Sequence, residues 1–289
     1  MQLGPSELIL NADGSIYHLN LLPNDIANTI ITVGDPDRVY HVSQHFDAIE
    51  LKKGKREFIT HTGTLKGKRI SVISTGIGTD NIDIVLNELD ALVNIDFTTR
   101  TIKEQKNSLN IIRIGTSGAI QAEIPIDSFL VSEYAIGFDS LLQFYDSKHI
   151  QHQEMQQAFV AHTSWNKNKS TPYVVKCDVT LLDQLKTDKM IAGFTATNVG
   201  FYGPQGRKLR LKTEDENLNS KLSSFNHDNL KITNLEMETS GIYGLSKLLG
   251  HKAISLNAIL ANRATGEFSE KPAKTTDRLI KQTLDKLTE

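Results

Sequence analysis

Thr29-Ile30-Ile31-Thr32-Val33, followed at once by Gly34-Asp35-Pro36-Asp37-Arg38, decides the fold. An unbroken β-branched run reads as a strand buried on both faces. Asp35 can then cap a helix whose first residue is Pro36, where proline's missing N–H costs nothing. Working outward, Ile70–Ile73, Asn110–Ile114 and Lys252–Leu260 are further short apolar runs bounded by turn residues, and read as strands. Ile82, Val85, Leu86, Leu89 and Val93 fall at helical spacing, as do Ile242, Leu245 and Leu249, with Gly250 as an expected left-handed cap. Ile280, Leu284 and Leu287 mark a C-terminal helix. Strands alternating with helices predict an α/β sandwich.

Two stretches break this rhythm. Residues 94–109 are polar, and residues 146–173 are rich in Gln, His, Lys and Asn around the only tryptophan, Trp165. Both read as surface insertions without chemistry on a single domain spanning 1–289, since a long structureless loop is uncommon inside a compact domain.

Composition narrows the function classes. The 289 residues carry 34 acidic against 32 Lys and Arg side chains, a net charge of -2 that lacks the basic surplus of a nucleic-acid binder. One cysteine, Cys177, excludes an internal disulfide. No stretch approaches the ~20 apolar residues of a membrane span. The N-terminus lacks a basic leader, so a cytoplasmic soluble protein is expected.

Five segments could carry chemistry. Arg38 would stand beside the amides of a helix N-terminus, an anion site, although a plain strand-to-helix turn accounts for it more simply. Ser74-Thr75-Gly76-Ile77-Gly78-Thr79 allows close backbone approach, as many Gly-x-Gly turns do. Arg113, in the apolar run before Gly115-Thr116-Ser117-Gly118, either meets a carboxylate or faces an anionic ligand, because an unpaired buried guanidinium is expensive. Glu236-Met237-Glu238 offers a carboxylate for two adjacent sugar hydroxyls above a soft apolar floor, or simply begins a helix. Phe201-Tyr202-Gly203-Pro204-Gln205-Gly206-Arg207 can present an amide and a guanidinium to an acceptor–donor–acceptor edge such as uracil's, with Phe201 stacking. No metal-ligand spacing stands out.

The strings VGDPDR, KREF, STGIG, IRIGTSGAIQ, FYGPQGR, EMETSGIYGL and ANRATGEF occur in one order between His18 and Pro272. In that order the chain resembles the nucleoside phosphorylase-I family, and specifically its uridine phosphorylase branch. The resemblance implies a single-domain α/β/α sandwich with a central mixed, partly barrel-like sheet. It implies uridine phosphorylase activity in pyrimidine salvage: uridine plus phosphate giving uracil and ribose 1-phosphate. Gly34, Arg38, Arg113 and Thr116 would hold phosphate, with Arg56 supplied by a neighbouring subunit. Glu236, Met237 and Glu238 would bind ribose, and His18 would reach the 5′-hydroxyl of an adjacent subunit's ligand. Phe201, Gln205 and Arg207 would take the base, with Arg263 near the loop that covers it. Arg113, Thr116, Glu238, Gln205 and Arg207 would carry the catalysis. A homo-oligomer with shared sites is implied, a dimer or a hexamer.

No cofactor is implied beyond phosphate as co-substrate. Glu57 and Ile77 match a monovalent-cation site found at the dimer interface of some bacterial relatives, but Asn81 replaces its serine. Asn262 stands where purine-cleaving and water-using relatives carry an acidic aspartate, which favours a pyrimidine phosphorylase. The alternatives are a phosphorylase of deoxyuridine, thymidine or a purine nucleoside, and a non-catalytic nucleoside-binding protein on the same fold.

Overall fold

In the computed structural model, which describes residues 2–289, the opening stretch is β1 (Thr29–Val33). Asp35 caps α1 (Pro36–Ser43) by accepting the Asp37 amide at 3.0 Å, as its sequence requires. An antiparallel ribbon follows, β2 (Ala48–Lys55), β3 (Phe58–Leu65) and β4 (Lys68–Ser74), and then α2 (Thr79–Asn94). The long β5 (Asn110–Ala119) and β6 (Phe129–Gly137) lead to α3 (Gln153–Thr163), β7 (Tyr173–Lys176) and α4 (Val179–Leu185). The chain ends with β8 (Met190–Thr197), α5 (Leu218–Ser224), β9 (Leu230–Glu236), α6 (Thr239–Leu249), β10 (Lys252–Asn262) and α7 (Pro272–Thr288). Gly250 closes α6 at φ 79°.

The main sheet runs β9-β8-β6-β10-β5-β1-β4-β3-β2, with β7 against β6. It mixes parallel and antiparallel pairs. Asn234 and Leu235 of β9 also pair with Ala119 and Gly118 of β5, which closes β5, β10, β6, β8 and β9 into a barrel. β5 therefore belongs to two structures. Up to Arg113 it lies parallel to β1 in the open sheet, and by Gly118 it has joined β9 in the barrel. The loops after β1, β4 and β9 gather at that switch, the place where α/β sheets offer a crevice.

Helices cover both faces. Leu86 and Leu89 of α2 pack with Ile242 and Leu245 of α6 over one side of the sheet. Val39 of α1 and Leu279 and Leu284 of α7 pack with Ile31, Ile112 and Ile254 on the other. Among the described residues no helix is long and apolar enough to cross a membrane.

Both insertions are more ordered than a surface loop. In residues 94–109, Ile95–Asp96 and Thr101–Ile102 form a small hairpin, and the Arg100 guanidinium donates to the carbonyls of Leu3, Gly4 and Leu8. This segment thus ties down the chain around Leu3–Leu8, ahead of β1. In residues 146–173, α3 buries Met155 and Phe159, and Phe159 stacks on Phe138 beside Trp165. Only these two large apolar side chains mark the inner face of α3, too few to stand out among its polar residues.

Candidate active site

A cleft of about 510 Å³ opens at the β5 switch. Gly34 and Arg38 enter it from the β1–α1 turn, Gly76 and Ile77 from the β4–α2 turn, and Arg113, Thr116 and Gly118 from β5. Glu236, Met237 and Glu238 come from the β9–α6 turn, and Phe201, Gln205 and Arg207 from the loop after β8.

Arg113 is the hub. Its side chain is buried, and of the two possibilities the sequence leaves open the structure has the first: Arg113 meets carboxylates, at the lining of the cleft. Nη2 lies 2.6 Å from Glu238 and 3.1 Å from Glu236, while Nη1 donates to Asn257 Oδ1 at 2.9 Å and Ser255 Oγ at 3.3 Å. Gly115 makes this fold-back feasible, because a Cβ there would sit 2.1 Å from Nη1. Burial opposes the Arg113 charge, yet Glu236 and Glu238 outweigh it and raise its pKa. Ser255 and Asn257 were missed in the sequence. They alternate on β10, Ser255 opposite Arg113 and Asn257 opposite Gly115, and a polar residue inside the apolar run Lys252–Leu260 is the signal that marks them.

Glu238 faces the cleft with Oε1 accepting the Gly78 amide at 2.9 Å, so the STGIG turn helps to aim it. Glu236 is engaged differently. Its oxygens accept the Thr197 hydroxyl at 2.6 Å and the Glu238 and Thr239 amides at 2.9 Å each. It thereby caps α6, whose own N-cap side chain makes no capping bond. With these bonds and Arg113 its carboxylate is satisfied from within the protein, while the residue still lines the cleft.

At the other end, Arg207 lies 3.7 Å from the centre of the Phe201 ring and donates to Gln205 Oε1 at 2.5 Å. Burial, with the Arg263 charge nearby, lowers the Arg207 pKa. Arg263 packs behind Gly118 and does not line the cleft; its Nη1 is buried without a hydrogen-bond partner among the described residues.

His18 and Arg56 stand away from this cleft. His18 Nδ1 lies 2.6 Å from Glu88, which also accepts the His18 and Leu19 amides. Arg56 sits exposed at φ 55° in the tight β2–β3 turn. Next to them in the chain, the Lys55 ammonium donates to the Tyr17 carbonyl at 2.6 Å and lies over the Tyr17 ring. Asn262 is likewise outside the cleft. Its Nδ2 donates to Gln121 and Ile124 carbonyls and its Oδ1 accepts the Ala264 and Thr265 amides, so its amide clamps a loop and does not face a base. Asn81 donates to Glu57 at 3.3 Å, giving that carboxylate an internal partner.

The phosphorylase superfamily model matches residues 28–289. The uridine phosphorylase of Thermococcus kodakarensis is 30% identical over 269 residues, covering 89% of this chain and 81% of that one. A DeoD-type purine nucleoside phosphorylase of Shewanella denitrificans is 26% identical over 93% of this chain and 96% of its own. Among solved structures, a Trypanosoma brucei nucleoside phosphorylase described as showing uridine phosphorylase activity superposes with a TM-score of 0.86 at 29% identity, covering 97% of this chain and 99% of that one.

Proposed function

The chain belongs to the phosphorylase superfamily, and from that membership and the chemistry of its cleft we infer that it is a uridine phosphorylase. It is a pentosyltransferase acting on a nucleoside and phosphate. The observation that carries the reading is the Arg113–Glu238 contact of 2.6 Å, in one cleft with Arg38 and the Gln205/Arg207 pair. One guanidinium touches both the anion end and the sugar end.

Phosphate would sit against Arg38, Arg113, Thr116 and the amide of Gly34. Anion capture by Arg113 exchanges one of its present bonds, and Glu238 is the partner that also faces the cleft. Glu238 would then accept the 2′- and 3′-hydroxyls of a ribose lying on Met237. In the reaction a phosphate oxygen bonds C1′ as the C1′–N1 bond breaks, and the bonding pair leaves with uracil. The nucleophile is already charged, so the protein's work is positioning and charge neutralisation. Gln205 and Arg207 would receive the uracilate, whose charge relieves the repulsion between Arg207 and Arg263. The base preference rests on this pair; Asn262 contributes only a loop clamp. Arg56 and His18 adjoin the contacting residues Lys55 and Tyr17 and are absent from the cleft lining, which supports a homo-oligomer in which each would complete a partner's site.

Uridine absorbance followed with and without phosphate tests the reading, alongside inosine and thymidine. Uridine is expected to be cleaved fastest, and only with phosphate. Preferred cleavage of inosine would point to the purine branch.

The pH profile gives a second check. Burial, with Glu236 beside it, holds the Glu238 carboxyl above its ordinary value despite the opposing Arg113. A carboxylate that must be ionised to accept sugar hydroxyls, and whose pKa is raised, loses function early as pH falls. The acidic limb of kcat/KM for uridine is therefore expected above the ordinary glutamate value of about 4.3. A limb at or below that value contradicts this assignment.

A further inference from the structure

Behind Glu236 runs a chain of buried hydrogen bonds. Thr197 Oγ1 donates to Glu236 Oε1 at 2.6 Å and accepts the Ser240 amide at 3.0 Å. Ser240 Oγ donates to Asp139 Oδ2 at 3.3 Å, and Tyr173 Oη lies 2.9 Å from both Asp139 oxygens. All four residues are buried, and none lines the cleft. The packing is specific to this arrangement: a Cβ on Gly137 would sit 2.4 Å from the Tyr173 ring and 2.7 Å from Ser240 Oγ.

We propose that Thr197 is a positioning residue for the phosphorolysis, braced from below by Asp139 and Tyr173. The proposal rests on the uridine phosphorylase reading and deepens it. Glu236 is the link. Thr197 holds one of its oxygens, while its other oxygen takes the Glu238 amide and lies 3.1 Å from Arg113. The orientation of the turn that presents Met237 and Glu238, and the aim of the phosphate arginine, thus share one carboxylate, and Thr197 supplies its one hydroxyl donor beside the Glu238 and Thr239 amides. Tyr173 closes the 146–173 insertion, so that segment reaches Glu236 through Asp139, Ser240 (its hydroxyl on one side and its backbone amide on the other) and Thr197.

Thr197→Val removes the hydroxyl and keeps the shape; Thr197→Ser keeps the hydroxyl. A hydrogen bond to a buried charge is worth about ten- to a hundredfold in the step it orients. Thr197→Val is expected to lose kcat by about that factor with little change in KM for uridine, because orientation and not contact is lost. Thr197→Ser should restore most of the loss, and Tyr173→Phe should lower kcat in the same direction by less. Melting temperatures measured in parallel separate folding from catalysis. Parental kcat in Thr197→Val, or a serine variant as impaired as the valine one, overturns the proposal. If Thr197→Val does not fold, Tyr173→Phe carries the test, and a parental kcat there overturns it. If the parent itself cleaves no uridine with phosphate, the functional reading falls. The proposal, which rests on that reading, falls with it, an outcome distinct from an active parent whose kcat survives Thr197→Val.

Discussion

Arg113→Ala should lower kcat/KM for uridine phosphorolysis by about 10²- to 10⁴-fold, some 3–5 kcal/mol of transition-state stabilisation. Three effects act together. The nucleophile loses a guanidinium beside C1′, Glu238 loses the charge that orients it, and Glu236 loses one of its satisfying partners. Breaking a buried ion pair from one side also strands the carboxylates, so the melting temperature should fall as well. Arg113→Lys separates the two losses: an ammonium restores charge without the fork that reaches Glu238, Glu236 and Asn257 together, so stability should recover more than activity. Near-parental turnover in Arg113→Ala would mean that the anion lies elsewhere.

Glu238→Gln should cost roughly 10²-fold in kcat/KM for uridine, the worth of one or two hydrogen bonds to a charged group. The substitution is isosteric and can keep the Gly78 amide contact, so the fold should survive. A neutral amide accepts the ribose hydroxyls weakly and no longer pairs with Arg113. Steady-state kinetics should place most of the loss with uridine and less with phosphate, because Arg38 and Thr116, which line the same cleft, would still hold the anion. Unchanged kcat/KM would remove Glu238 from the sugar site.

The elements that were legible in the sequence are those with a local signature. TIITV, the Asp35–Pro36 cap, the spacing of α2 and α7 and the Gly250 cap each follow from neighbouring residues. Closure of the barrel does not, because the pairing of Leu235 with Gly118 joins segments far apart in the chain. Arg113 announced itself as a charge in an apolar strand, whereas its partners Ser255 and Asn257 are small enough to pass for tolerated polar residues. Glu236 and Glu238 look alike in a string, and only the fold shows that Glu236, while lining the cleft with Glu238, also braces the turn by accepting its amides. Asn262 was read by its lack of acidity, and its hydrogen bonds reveal a mechanical role. The chain through Tyr173, Asp139, Ser240 and Thr197 has no motif at all, since its members come from four separate elements.

Product identity bears most directly on the claim that Arg38 and Arg113 present a phosphate to C1′. Purified protein is incubated with uridine and inorganic phosphate, and the sugar product is followed by phosphorus magnetic resonance alongside uracil release. The expected result is ribose 1-phosphate formed mole for mole with uracil, at a rate that vanishes without phosphate. Free ribose, released as fast in phosphate-free buffer, would contradict it.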